Sequence, residues 1–282
     1  MKQLVHRRNA LVKTKSALLQ QFHDQIQYDY PSYKKFFTDM ECKTSMAFFE
    51  QYPSPRTLES TTVEELAEFL RIPSHNACST KRAEKILDLI EADAVKERNY
   101  QSGRDFIVQS MMRNIRYILE ELERIDKQQK KLLKEVDYQL ETLPGVNTNT
   151  VTACALVGQI GDISRFKSAN KLANYAGVAP ICFSSAGKGK YVQNKNQGNR
   201  ELYSVLYLLA MQQVHVNAKG QARNPLLRAY FESKVFRGKD KDTGVIMRQL
   251  VNIIYSMMKN KTAYRMPEIT LRVAGEKEQV IS

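Results

Sequence analysis

The feature that most constrains this chain is a run of apolar positions stepping by four and three through residues 105–140. Met111, Ile115, Ile118, Leu122, Ile125, Gln129, Leu132, Val136 and Gln139 recur among Glu and Lys in that alternation. Such spacing keeps one narrow stripe on one side of an α-helix, the seam of a coiled coil. At 1.5 Å per residue the helix is roughly 50 Å long, and a seam of that length needs a second helix to cover it. Two sources are open: another copy of the chain, giving a homo-oligomer, or the chain's own opening segment folded back antiparallel. Leu4, Leu11 and Leu18 beside Val5, Val12, Leu19 and Ile26 form two rows at sevenfold spacing, which predicts an amphipathic helix ending near Tyr30-Pro31.

The rest of the chain reads as short helices. Thr61 with Glu64 forms an expected capping box for a helix through Leu70, stopped by Ile72-Pro73, and a second helix is expected over Thr80 to Asp93 with Ile86, Leu87 and Ile90 inward. Beyond residue 143, helices are expected over 149–160, 168–176 with Ser168 as cap, 200–214 and 243–259, the last carrying Val245, Leu250, Ile253, Ile254 and Met257 inward. Residues 178–199 have no helical period and read as an irregular or hairpin loop. The fold class is mainly α: a helical linker unit (1–104), a long coiled-coil helix (105–141), a compact helical domain (142–265) with a helix-hairpin-helix-like turn, and a tail (266–282).

Charge divides the 282 residues unevenly. The net charge is +13. Residues 1–142 hold 23 basic and 22 acidic side chains, whereas 143–282 hold 20 basic and 8 acidic. Between Ile163 and Arg200 there is no acid, while Arg165, Lys167, Lys171, Lys188, Lys190, Lys195 and Arg200 supply cations. A stretch of this kind attracts a phosphate backbone through counterion release, and its plain alternative is a solvated basic surface. No apolar run approaches the roughly 20 residues of a membrane span, and the N-terminus does not read as a signal peptide, so a cytoplasmic setting is expected. Cys42, Cys78, Cys154 and Cys182 lie in no metal-ligand or disulfide spacing with one another or with His6, His23, His75 and His215, so no metal site is expected.

Two short elements carry possible chemistry. Leu143-Pro144-Gly145-Val146 has the form of a turn that aims backbone N–H groups and a helix N-terminus at a phosphate, although Asn147 stands where a second Gly is common and Pro-Gly also makes ordinary turns. Ser184-Ser185-Ala186-Gly187-Lys188-Gly189-Lys190 places two hydroxyls beside two cations. A serine can attack a phosphodiester and hold the cut strand as an ester, provided cations offset the charge gathering on the phosphate. A solvated Ser/Gly turn has the same composition. Gly189 after Lys188 breaks the Walker spacing.

The order LPGV, IGDISRFKSANKLANYAGVAP, SSAGKGK, QGNRELYSVLYLLA and GKDKDTGVIMRQLVNIIYSMMKN resembles the C-terminal domain of the IS-one-ten/IS-one-sixteen insertion-sequence transposase family over residues 143–265. The opening helix and the heptad helix are similar to that family's linker and coiled coil. The resemblance implies a DNA recombinase whose serine nucleophile is Ser185, with Ser184 as the other candidate and Ala186 in place of the usual Gly. It also implies an element-encoded guide RNA and an acidic N-terminal domain that binds Mg²⁺. The acids found here, such as Glu64, Glu65, Asp88 and Asp93, sit on amphipathic helices where a solvated face is expected. The chain therefore reads as lacking that acidic domain, with Mg²⁺ expected only where the domain is supplied. The alternative is an inactive nucleic-acid-binding remnant that co-assembles with intact transposase at the nucleoid. Tyr191, Tyr203 and Tyr207 have no Arg-His-Arg surroundings, and the latter two are expected to pack in the core.

Overall fold

The computed structural model describes residues 1–146, 150–179, 181–185, 188–192, 198–236 and 243–266, and for 181–185, 188–192 and 234–236 the backbone alone. In chain order the described elements are α1 (Lys2–Ile26), α2 (Lys43–Gln51), α3 (Val63–Arg71), α4 (Thr80–Asp93), α5 (Gln101–Val136), α6 (Thr150–Ile160), α7 (Ala169–Tyr175), β1 (Ile181–Ser185), β2 (Lys188–Val192), α8 (Arg200–Val214), α9 (Pro225–Phe236) and α10 (Gly244–Asn260). The fold is mainly α, as expected, and the loop without helical period takes the form of an antiparallel hairpin, β1 against β2. No helix among the described residues is long and apolar enough to cross a membrane.

The chain forms two units, Arg8–Arg124 and Met1–Arg7 with Ile125–Ser282. The boundaries fall inside α1 and α5, and the two ends of the long helix serve different cores. In the proximal unit Phe22, Tyr30, Phe36, Phe48 and Phe49 are fully buried. Their rings meet mostly edge to face, with Phe22 to Phe49 and Phe48 to Phe49 each 5.1 Å between centroids, the arrangement that the ring quadrupole favours. Tyr30 donates its hydroxyl to the Tyr52 carbonyl at 3.1 Å, so the one polar tip in this cluster is satisfied. Val108, Met112 and Ile115 of α5 join Phe22 and Ile26 of α1 in that same core. In the distal unit Val5 of α1 and Leu133 of α5 share a core with α6, α7, α8 and α10. The two ends of the α5 seam are thus buried in two different cores of the chain.

The buried row of α5 differs from the expected one at both ends. Met112 and Leu133 are buried, whereas Met111 and Leu132 are only half-buried. An α-helix of 3.6 residues per turn drifts about 20° per heptad against a strict seven-residue repeat, and the step from Ile125 through Gln129 to Leu133 takes up that drift by two successive fours. Gln139 lies outside the helix, because α5 stops at Val136 and both Asp137 and Gln139 have positive φ.

The capping box at α3 also sits one residue later than Thr61 and Glu64. Thr62 Oγ1 accepts from Glu65 N at 3.2 Å and Glu65 Oε2 accepts from Thr62 N at 2.8 Å. The sequence offers both registers. The preceding 3-10 turn decides between them, since Thr61 N already donates to the Leu58 carbonyl at 2.9 Å. The helices over 80–93 and 200–214 have the expected bounds, that over 168–176 is offset only at its cap, and α2 and α9 were not anticipated. Thr62→Ala should cost about 1 kcal/mol of proximal-unit stability, and Thr61→Ala less than about 0.5 kcal/mol. Urea unfolding of the two variants checks this, and equal losses would put the box in the other register.

Candidate nucleic-acid interface

α6 is buried from Ala153 through Ile160, and it can be so because these side chains are small or apolar except for Gln159, whose amide finds partners in Asn199 and Glu201. Gly158 lets the first turn of α1 approach: a Cβ there would stand 3.3 Å from Lys2 Cα and from Val5 Cγ2. The α6 helix ends at Gly161, with Asp162 capping the short 3-10 turn that follows, its carboxylate accepting from Ser164 N at 2.9 Å and from the Ser164 hydroxyl. Those bonds, with lesser help from Lys259 and Arg165, hold the Asp162 carboxyl below its ordinary range.

Arg165 lies exposed on two rings, its guanidinium carbon 4.6 Å from the centroid of Phe166 and 4.7 Å from that of Tyr175. Stacking of this kind fixes the plane of a cation while leaving its N–H fork outward. Phe166 is itself placed by Tyr255 of α10, whose hydroxyl donates to the Phe166 carbonyl at 3.1 Å. Ser168 caps α7 as expected, accepting from Lys171 N. Lys167 and Lys171 are exposed on either side of that cap.

The hairpin is clasped where it leaves α7 and where it enters α8. Asn199 caps α8 by accepting from Leu202 N at 3.0 Å, its own N–H donates to the Tyr175 carbonyl at 2.7 Å, and its amide donates to Tyr175 Oη and Gln159 Oε1 at 3.0 Å each. The Gln159 amide in turn donates to Glu201, and Glu201 lies 3.3 Å from His6 Nε2. Burial alone would raise the Tyr175 phenol, but the Asn199 N–H and the Arg165 guanidinium outweigh it and hold the phenol below its usual range. Gly198 has φ +94°, and a Cβ there would fall 2.5 Å from Gly177 N, so the two chain ends touch backbone to backbone. Arg200, exposed, is the first residue of α8 beyond this clasp.

Within the hairpin Ser185 pairs with Lys188, Ser184 with Gly189 and Phe183 with Lys190. The ladder has a period of two, so positions 183, 185, 188 and 190 form one row and 182, 184, 189 and 191 the other. Ser185 thus shares its row with both lysine positions, and Ser184 does not. Ala186, Gly187 and Lys195 lie outside the described residues, as does Asn147.

Gly145 is placed differently from the other candidates. It is buried with φ +84°, and a Cβ would meet Gln213 Nε2 at 2.9 Å and Leu209 Cδ1 at 3.1 Å. The Gln213 amide donates to the Pro144 carbonyl. This glycine is therefore explained by a tight turn pressed on α8. Asp93, expected on a solvated face, accepts from Ser32 N and the Ser32 hydroxyl at 2.8 Å each, and Glu65 belongs to the capping box. Tyr203 packs against the distal core, but Tyr207 is 42% exposed, with Leu208 and Met211 beside it on the outer face of α8. Leu202, Leu206 and Leu209 take the inner positions instead. Among the described residues no three His, Cys, Asp or Glu side chains converge. Sequence reasoning missed Tyr175, Gln159 and Asn199; only the Asn before an apolar helix signalled a cap.

Residues 137–225, from the end of α5 to the first residue of α9, match the family described as Transposase IS116/IS110/IS902. Over that segment the chain is similar to the family. Relatives extend the match over more of the chain. The 43.6 kDa protein of insertion element IS110 from Streptomyces coelicolor is 27% identical over 224 residues, 77% of this chain and 53% of the relative. The pilin gene-inverting protein of Moraxella lacunata is 30% identical over 181 residues, 60% of this chain and 53% of that protein. The 44.8 kDa protein of insertion element IS116 from Streptomyces clavuligerus is 20% identical over 93% of this chain and 64% of its own length. The chain spans about half the length of the first two relatives. The Arg165 stack, the clasp and the hairpin all lie inside the transposase segment.

Gly198→Ala should cost about 1–3 kcal/mol, because the new methyl meets Gly177 backbone at a left-handed φ. The Tyr175 hydroxyl also donates to the Gln159 carbonyl at 3.2 Å, so Tyr175→Phe should cost about 1 kcal/mol through the lost bonds to Asn199 and Gln159. Chemical unfolding of the full chain followed by circular dichroism measures both, and a neutral Gly198→Ala would remove the clasp from the account.

Proposed function

We propose that the distal unit of this insertion-sequence transposase/recombinase relative grips DNA along Arg165, Lys167, Lys171 and Arg200, with the hairpin lysines Lys188 and Lys190 and the loop residue Lys195 extending the grip. Ser185 is the nucleophile of strand exchange in this reading. Its hydroxyl oxygen forms a bond to phosphorus, the bond from phosphorus to a sugar oxygen breaks, and that oxygen leaves with a proton as the free strand end. The ester keeps the bond energy for rejoining, so no nucleotide cofactor is consumed. Lysines beside the serine offset charge building on the phosphate. The observation that carries the reading is the match of residues 137–225 to the transposase family, and the pairing of Ser185 with Lys188 favours it over Ser184. A structured guide RNA from the element, association of copies, and action at the bacterial nucleoid belong to the same proposal.

Binding without cleavage is the second reading, favoured by the acids: among the described residues none gather into a metal-binding group, and strand transfer of the metal-assisted kind needs one.

Both readings expect salt-sensitive binding to double-stranded DNA, measured by fluorescence anisotropy, with log K falling linearly in log salt. Arg165→Ala, Lys167→Ala and Lys171→Ala should each lower the slope by about 0.9. Indifference to DNA and structured RNA at low salt overturns both. The nucleophile reading further expects a tagged chain to be trapped as a covalent DNA adduct when Mg²⁺ and the full-length IS110 relative are supplied as a source of metal-binding acids. Ser185→Ala abolishes that adduct while binding persists. Absence of any adduct on the tagged chain leaves the binding reading alone standing.

A further inference from the structure

The proximal unit holds a cleft of about 510 Å³, lined in part by Asp29, the loop before α3, the C-terminal half of α4 and the start of α5. We propose that it binds a primary ammonium carried on a short alkyl stem. Asp29 is buried and accepts from Arg98 Nη2 at 2.6 Å and Gln101 Nε2 at 3.1 Å. The same Gln101 nitrogen donates to Asp105 Oδ1 at 2.9 Å. With its amide nitrogen committed to two carboxylates, the orientation of Gln101 is fixed and its Oε1 is left as a buried acceptor with no donor. Ser54 Oγ is likewise buried without a partner. Both residues line the cleft, both are more than nine-tenths buried, and buried polar atoms left unmatched are rare enough to call for an explanation. Arg98 Nε is unmatched as well, but Arg98 does not line the cleft.

Charge selects the ligand's sign. The lining carries Asp29, Glu59, Glu91 and Glu97 against Arg56 and Lys96. Arg56 is already engaged, 3.3 Å from both Glu97 and Asp105. A donor-bearing cation meets the Gln101 carbonyl and relieves the excess of carboxylates, whereas an anion would meet neither need. The remaining wall is apolar, with Leu58, Leu87, Ile90 and Val95, a surface suited to the methylenes of an alkylammonium stem. A free diamine and the lysine side chain of a partner share this chemistry. The site lies wholly in the proximal unit and does not depend on the proposed function of the distal one.

The test uses the full chain, freed of nucleic acid, in calorimetric titrations with 1,4-diaminobutane and with Nα-acetyl-lysine methylamide, beside 1,4-butanediol and succinate at matched ionic strength. Saturable binding of the ammonium probes, with none of the diol or succinate, is expected; a tighter diamine assigns a free polyamine and a tighter lysine amide a partner's lysine. Ser54→Ala, which loses no hydrogen bond and keeps the melting temperature, should weaken binding about fivefold. Glu91→Gln should weaken it about threefold, less so at high salt. No saturation by either ammonium probe, saturation by succinate, or unchanged affinity in both variants overturns the proposal. Retained DNA binding in the same variants separates that failure from failure of the distal reading.

Discussion

Backbone contact between Gly177 and Gly198 governs the distal unit. A side chain on Gly198 would lie within 2.5 Å of Gly177 N, so the two ends of the hairpin segment can meet only because Gly198 carries none at that point. Once they meet, the Asn199 amide can reach Tyr175 and Gln159 together, and one residue both starts α8 and fastens it to α7. Three of the candidate positions are set from this clasp: Arg165 by stacking on Tyr175, Arg200 by following Asn199, and the serine hairpin by being held at both ends. The polar chain from Asn199 through Gln159 to Glu201 is what such a junction requires, since each buried amide there has its partner.

The acid-free character of residues 163–200 has a structural counterpart in how the nearest carboxylates are used. Asp162 turns its oxygens onto Ser164 of its own 3-10 turn, and Glu201 is taken up by Gln159 and His6. Each negative charge bordering the basic stretch is thereby tied to local donors, leaving Arg165, Lys167 and Lys171 facing solvent. A polyanion approaching this side meets cations whose nearest acids are already hydrogen-bonded, which is a stronger statement than a net charge of +13 for the chain.

Helix existence was legible in the sequence wherever period and cap coincided. Ser168 before an apolar run marked α7, and the helices over 200–214 and Thr80 to Asp93 came out with their bounds intact. Errors arose where two local signals were equivalent and distant contacts chose between them. Thr61 and Thr62 each stand three residues before a Glu, and only the hydrogen bond from Thr61 N to Leu58 excludes the first. Leu132 and Leu133 are adjacent and identical, and accumulated helical drift selects the second. The packing of Gly145 under Leu209 and Gln213 was not legible, because Pro-Gly carries no record of what lies across it. The clasp was invisible for the same reason, as its bonds join residues 24 and 40 positions apart. Tyr207 was misplaced because an apolar-rich helix such as α8 has more hydrophobic side chains than inward positions.

The continuity of α1 and α5 through the unit boundary bears on how the chain comes apart. Each helix contributes one end to the aromatic core and the other to the core around α6. Were the aromatic core to melt first, the α6 side would keep only a short stub of α1 and the last turns of α5, lengths that are marginal as helices in isolation. Fraying would then run along both helices toward the surviving core. Two cores sharing two helices in this way should lose amide protection as one graded sequence, spreading outward from whichever half opens, instead of as two unrelated events.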